Sequence, residues 1–129
     1  FTSWLVHTKQ GDNWKLIKDL EKGKYCYLIS INNWAIELED NEFDSLYHLL
    51  KKINKEMQNI HKDLMEEELI NLELENLPWY AELEGTKFEW SLRFVFESRQ
   101  ETRSFEMYWP IPIAKNLSFE IIKMWESMY

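Results

Sequence analysis

Residues 41–65 read NEFDSLYHLLKKINKEMQNIHKDLM, and the spacing of their apolar side chains decides the fold. Phe43, Leu46, Leu50, Ile53, Met57, Ile60 and Leu64 follow one another at steps of three and four. That seam is the buried stripe of an amphipathic helix, held for about three heptads. Asp40 or Asn41 is suited to cap it, and Glu42 and Asp44 favour the positive end of the helix dipole. At the usual rise a helix over residues 41–65 is ~37 Å long. A seam of that length would also serve a coiled coil. Because strand patterns flank it on both sides, the expected role is packing across a curved sheet.

Upstream of the helix the period is two. Trp4 and Val6 begin a first strand, and Gly11-Asp12 separates it from the next. Trp14, Leu16 and Leu20 then alternate with Lys15 and Asp19, and Tyr25, Tyr27, Ile29 and Ile31 alternate after the turn at residues 21–24. Asn32-Asn33 makes a tight turn, since Asn tolerates positive φ, and Trp34, Ile36 and Leu38 continue the meander. Downstream the same pattern returns. Ile70, Leu72 and Leu74 form one strand face and Trp79, Ala81 and Leu83 a second. Phe88, Trp90, Leu92, Phe94 and Phe96 make a third, and Phe105, Met107 and Trp109 a fourth. Pro110 and Pro112 end that strand, and Asn116 is read as the cap of a helix carrying Leu117, Ile121, Met124, Trp125 and Met128. The predicted order is strands over about 4–38, a long helix over 41–65, strands over 69–109 and a helix over 116–128. The fold class is α+β: antiparallel sheets with two packed helices in one domain spanning residues 1–129.

Composition bounds the function. The 129 residues carry seven Trp, six Tyr and seven Phe with three Gly and three Pro, which excludes disorder and low-complexity linkers. A formal net charge of −8 disfavours nucleic acid, whose binding draws on Lys and Arg displacing counterions. Cys26 is the single cysteine, so an intrachain disulfide is ruled out; in its apolar strand it reads as a buried, inert thiol. No apolar run reaches the ~20 residues of a membrane span, and the expected setting is the cytoplasm.

Candidate sites are few. Glu66-Glu67-Glu68 lies where the long helix should end and opposes its dipole. With His61 and Asp63 it could hold a hard cation, or face Arg93, Arg99 or Arg103 across a solvated corner. Glu73, Glu75, Glu82 and Glu84 share the sides of consecutive strands, where paired carboxylates serve acid–base chemistry or face water. His7, His48 and His61 form no metal-binding motif, and glycine-rich phosphate loops and nucleophile elbows are absent. No cofactor is expected. Lys51, Lys52, Lys55 and Lys62 form a basic patch on the long helix, interleaved with acids. The aromatic surplus remains. Tyr80 and Tyr108 fall on the polar sides of their strands, and Tyr25 and Tyr27 alternate with Cys26 and Leu28. Tyr25, Tyr27, Tyr80 and Tyr108, with Arg93, are the candidate binding surface, since exposed aromatics anchor protein partners or stack bases.

Several strings resemble a small cyanobacterial family known as a domain of unknown function. They include Gly11-x-x-Trp14-x-Leu16, Trp34-Ala35-Ile36-Glu37-Leu38 followed by Glu42-Phe43, and Leu64-Met65-Glu66-Glu67-Glu68. Further matches are Glu84-Gly85, Ser91-Leu92-Arg93-Phe94, and Arg103 through Glu106 to Trp109. That family in turn looks like the Whirly fold of plant regulators that bind single-stranded DNA. The resemblance implies four strands and a helix run twice, assembly into tetramers, and strand binding on the sheet surfaces through a Lys-Gly-Lys-Ala-Ala-Leu motif. Lys22-Gly23-Lys24 matches its first half and marks Lys22 and Lys24 as nucleic-acid candidates, but Tyr25-Cys26-Tyr27 replaces the second half. The resulting expectation is a non-enzymatic binding or assembly protein that contacts itself, as a homo-oligomer, or a protein partner. A single-stranded nucleic-acid binder is the alternative, and a carboxylate- or cation-dependent enzyme a distant third.

Overall fold

In the computed structural model, which describes residues 5–100 and 102–127, strands of period two stand on either side of the helix. The chain runs β1 (Val6–Gly11), β2 (Trp14–Asp19), β3 (Tyr27–Ile31), β4 (Trp34–Leu38) and α1 (Asp40–His61). It continues through β5 (Ile70–Asn76), β6 (Trp79–Gly85), β7 (Trp90–Ser98), β8 (Arg103–Trp109) and α2 (Ile111–Glu126). The strands form two antiparallel four-stranded meanders in the orders β1-β2-β3-β4 and β5-β6-β7-β8. This is the α+β architecture expected. Residue 4 and residue 128, where the first strand was expected to begin and the last helix to end, lie outside the described residues.

Turn chemistry sets the hairpins. Asn13 (φ 66°) and Asn32 (φ 53°) sit in the left-handed region between β1 and β2 and between β3 and β4. Asn adopts that region with less strain than most residues because its short amide bonds locally. Gly85 closes β6 at φ 155°, where a Cβ would come within 2.3 Å of the Glu89 carbonyl oxygen. Only glycine fits there.

Four boundaries differ from the sequence reading. Lys18, not Leu20, takes the inward phase after Leu16, because β2 ends at Asp19. The Asp19 carboxylate accepts a bond from the Glu21 amide at 3.0 Å, turning Leu20–Lys22 into a single 3-10 turn with Leu20 exposed. At the next turn, β7 starts at Trp90 and leaves Phe88 outside. The helix α1 ends at His61 rather than near 65, and its N-cap is Glu39, which forms a reciprocal capping box with Glu42. Beyond His61 the Leu64 carbonyl takes the Lys87 ammonium at 2.8 Å, so the acids that follow are not held against the dipole of a continuing helix. Finally, α2 begins at Ile111, and Asn116 lies in its middle. Proline in a first turn costs nothing, since its missing N–H would have no partner there, so Pro112 starts the helix instead of preventing it.

The seam of α1 is buried as read. Phe43, Leu46, Leu50, Ile53 and Met57 join the core, with Ile60 and, beyond the helix, Leu64 partly covered; Leu49, outside the seam as read, is buried as well. Helix α1 packs on β5, β6 and α2, while α2 packs on β7 and reaches back to β2. Each helix therefore crosses between the halves. The Tyr27 ring stacks flat on Phe43 at 3.9 Å, and Trp125 of α2 closes over both at 6.1 and 5.8 Å.

Candidate functional site

The second sheet buries one face and leaves the other in water. Trp79, Leu83, Leu92, Phe94, Phe96 and Trp109 point inward and are fully covered. The outward positions carry Glu73 and Glu75 of β5, Tyr80, Glu82 and Glu84 of β6, Arg93, Val95 and Glu97 of β7, and Glu106 and Tyr108 of β8. The register aligns two rungs across the sheet. One runs Glu73, Glu82, Arg93, Tyr108; the other runs Glu75, Tyr80, Val95, Glu106. Among the described residues Arg93 is the lone cation of this face. Its guanidinium lies 5.3 Å from the Tyr108 ring and 4.0 Å from the Glu106 carboxylate. Tyr80 and Tyr108 are 44% and 45% exposed, so both rings keep apolar area to offer. A shallow depression of about 450 Å³ lies over Glu73, Glu75, Tyr80, Glu82, Arg93 and Val95. Glu73 and Glu82 are directly opposite in register, a placement that is unfavourable for like charges, and Glu82 faces Arg93 on its other side.

Three of the expected surface residues, Tyr80, Tyr108 and Arg93, are thus brought together. The others are not. Tyr27 is fully buried: its hydroxyl lies 3.2 Å from an Asp40 carboxylate oxygen and its ring is committed to Phe43. It belongs to the core because its side of β3 meets Phe43 of α1 and Trp125 of α2. Tyr25 is half-buried, 5.0 Å beneath the Arg103 guanidinium and 5.6 Å from the Lys24 ammonium. Lys22 forms an ion pair with Glu37. Glu66, Glu67 and Glu68 stand exposed on the connection from α1 to β5, where a Glu68 oxygen accepts the Met65 amide at 3.2 Å. No group of three or more His, Cys, Asp or Glu side chains suited to a metal is found among the described residues. The cation beside that corner is Lys87; Arg93 and Arg103 are committed elsewhere.

Sequence reasoning missed a buried ion pair at the junction of the two halves. Glu42, in the first turn of α1, is only 4% exposed, and its Oε1 accepts Arg103 Nη1 at 2.5 Å and the Glu39 amide at 2.9 Å. Arg103 also donates to the Glu37 carbonyl of β4 and packs against the rings of Phe96 and Phe105 at 5.6 and 5.3 Å. The spacing Glu39-x-x-Glu42 signals the capping box at the start of α1, though not the pairing of Glu42 with Arg103. Lys18, buried 5.7 Å from the Tyr27 ring, could have been found from its phase alone. On the opposite side, Tyr47 donates to Glu126 at 2.7 Å and Lys51 pairs with the same carboxylate at 3.1 Å. The Tyr47 bond, then Lys51, hold the Glu126 carboxyl below the usual range. The same bond raises the Tyr47 phenol. Burial, then Asp40, push the Cys26 thiol up.

Among the described residues no helix is long and apolar enough to cross a membrane. The sequence model of a domain of unknown function, DUF1818, matches residues 9–124. A crystal structure from the cyanobacterium Prochlorococcus sp. NATL2A, described as a protein with unknown function from the DUF155 family, superimposes with a TM-score of 0.85. It is 32% identical in sequence, over 93% of this chain and 98% of that one. No curated protein matches.

Proposed function

Since the chain belongs to the DUF1818 family, which is defined without an activity, we propose that it is a non-enzymatic binding and assembly protein. Its working surface is the outward face of the second sheet, and what that face takes is a basic segment of a protein partner or of a second copy. The observation that carries this is the pairing of two half-exposed tyrosines with Glu73, Glu75, Glu82 and Glu106 around a single arginine. Tyrosine supplies contact area at low entropic cost, and the surrounding carboxylates steer and select a positive partner. The reading takes the chain as one cytoplasmic domain.

The order of four strands and a helix, run twice, supports the Whirly-type likeness as a statement of fold. Inheritance of single-strand DNA binding gains less support, because this sheet would set carboxylates against phosphates. Lys22, paired with Glu37, and Lys24, beside Tyr25, are already engaged.

Fluorescence anisotropy with a labelled Lys/Arg-rich peptide tests the reading. Binding should weaken with salt and drop in Tyr80→Ala and in Glu82→Gln, while a labelled oligo-dT stays unbound. Light scattering over a concentration series tests self-assembly. Oligonucleotide binding without peptide binding or self-assembly would overturn the proposal in favour of a nucleic-acid role.

A further inference from the structure

A cleft of about 430 Å³ opens where the last turns of α1 meet the connection from β6 to β7 and the first turns of α2. That volume falls within the range of small-molecule sites, ~300–1,000 Å³. Its charge runs against that of the molecule. In a chain of net charge −8, the lining holds Lys87, Lys115, His61 and the amides of Asn54 and Gln58, and no carboxylate. Glu89 lies between Phe88 and Trp90 in the chain, and Glu66–Glu68 on the connection after α1, yet none of these acids lines the cleft.

The two lysines are held in place by neutral acceptors. Lys87 Nζ donates to the Leu64 carbonyl at 2.8 Å, and Lys115 Nζ donates to the Phe88 carbonyl at 3.1 Å. Among the described residues neither ammonium is paired with a carboxylate. A carbonyl fixes the direction of an ammonium without cancelling its charge, and each ammonium keeps two further N–H donors. The wall beside them is aromatic. Phe88 is 48% exposed, with Lys87 Nζ 5.4 Å from its ring centre and the His61 ring edge-on at 6.0 Å. Two positioned positive charges and an open aromatic face together suit a ligand with a negative head and a flat apolar body.

We propose that this cleft binds a small aromatic carboxylate. The ammonium groups of Lys87 and Lys115 take its two oxygens, and its ring lies on Phe88. Asn54 and Gln58 offer hydrogen bonds to polar substituents on that ring. The helix end at the cleft favours a monoanion over a phosphate dianion. Phosphates are commonly held at a helix N-terminus, whereas α1 brings its C-terminal end here, and the partial negative charge of that end penalises two charges more than one. The site shares no residue with the outward sheet face, so a protein partner can occupy that face with the cleft empty or filled.

Amide chemical-shift titration of the full chain at neutral pH tests it, with sodium benzoate as the probe. Benzamide serves as the neutral isostere and phenyl phosphate as the analogue of higher charge, and ionic strength is held constant. The expected result is saturable shifts with benzoate at residues 54–61, 87–90 and 113–116, none with benzamide, and weaker binding of phenyl phosphate. Lys115→Gln should weaken benzoate binding about tenfold, the worth of one charge-assisted bond. Phe88→Ala should weaken it as well, with every charge kept. Lys87→Gln risks the connection after α1 through the Leu64 carbonyl, so Lys115→Gln and Phe88→Ala carry the test. Equal shifts with benzamide, unsaturable shifts spread over the surface, tighter binding of phenyl phosphate, or an unchanged affinity in Lys115→Gln would each overturn the proposal.

Discussion

Arg103 is the residue on which the two halves meet. Its guanidinium holds the Glu42 carboxylate and the Glu37 carbonyl, and aromatic rings flank it at 5.0 to 5.6 Å. Removing one partner of such a pair leaves an uncompensated buried charge, at a cost of about 3–5 kcal/mol. Arg103→Ala should therefore lower the unfolding free energy measured in urea by that amount, while Arg103→Lys, which keeps the charge and loses the planar fork, should recover only part. The double variant Glu42→Leu with Arg103→Met should cost less than the sum of its single changes. Nothing local announced this pair, because its members stand 61 positions apart in the chain. Tyr27 failed for a different reason. Alternation tells which residues share a face, but where both phases are apolar, as at residues 25–28, it does not tell which face is inside. Cys26 was readable from its apolar neighbours. With its thiol raised by burial and by Asp40, it stays protonated and covered at neutral pH. Alkylation by iodoacetamide should be slow in the native protein and accelerate with urea in step with unfolding; rapid native labelling would contradict this packing.

At the scale of elements, α1 was legible because six apolar residues, Phe43 to Ile60, kept one phase over its length, and its burial follows. Ile53→Ala should cost about 2–5 kcal/mol in chemical denaturation, since the side chain is 1% exposed and its removal leaves a cavity that the core fills only in part. The ends of elements were less legible. Pro112 was read as a stop although proline also starts helices, and α1 ends at His61 although the apolar phase continues to Leu64, whose carbonyl is bonded by Lys87 from another part of the chain. The two helices are also tied at the surface by Tyr47, Lys51 and Glu126. Glu126 sits below its ordinary range in the folded chain, so this tie is fully present above the unfolded carboxylate range and fades as pH falls through the folded value. Tyr47 is raised, so its contribution holds below the ordinary phenol range, ~10, and is lost as pH rises through the folded value. In Tyr47→Phe the Glu126 carboxyl, followed by carbon NMR, should titrate at higher pH than in the wild type. An unchanged midpoint would mean that the phenol is not its main partner.

Across the whole molecule the order of elements was legible, because a change of period from two to three or four marks each transition. What the sheet faces do was not, since the same alternating glutamates describe an idle solvated sheet and a working one. Energetics can separate the two. Glu73 and Glu82 oppose each other in register on neighbouring strands, and like charges so placed destabilise by about 0.2–1 kcal/mol. A sheet under selection for stability alone has a simple remedy in one lysine. Natural sequences are seldom at their stability optimum, so the opposed pair acquires meaning only if binding changes with it. Glu73→Lys should therefore raise the urea midpoint slightly, by replacing repulsion with attraction across the rung, and at the same time weaken salt-sensitive binding of a basic peptide. A rise in stability with binding unchanged would show the face to be idle. A fall in stability would show that the two carboxylates are not in conflict, and the case for this surface would lose its energetic support.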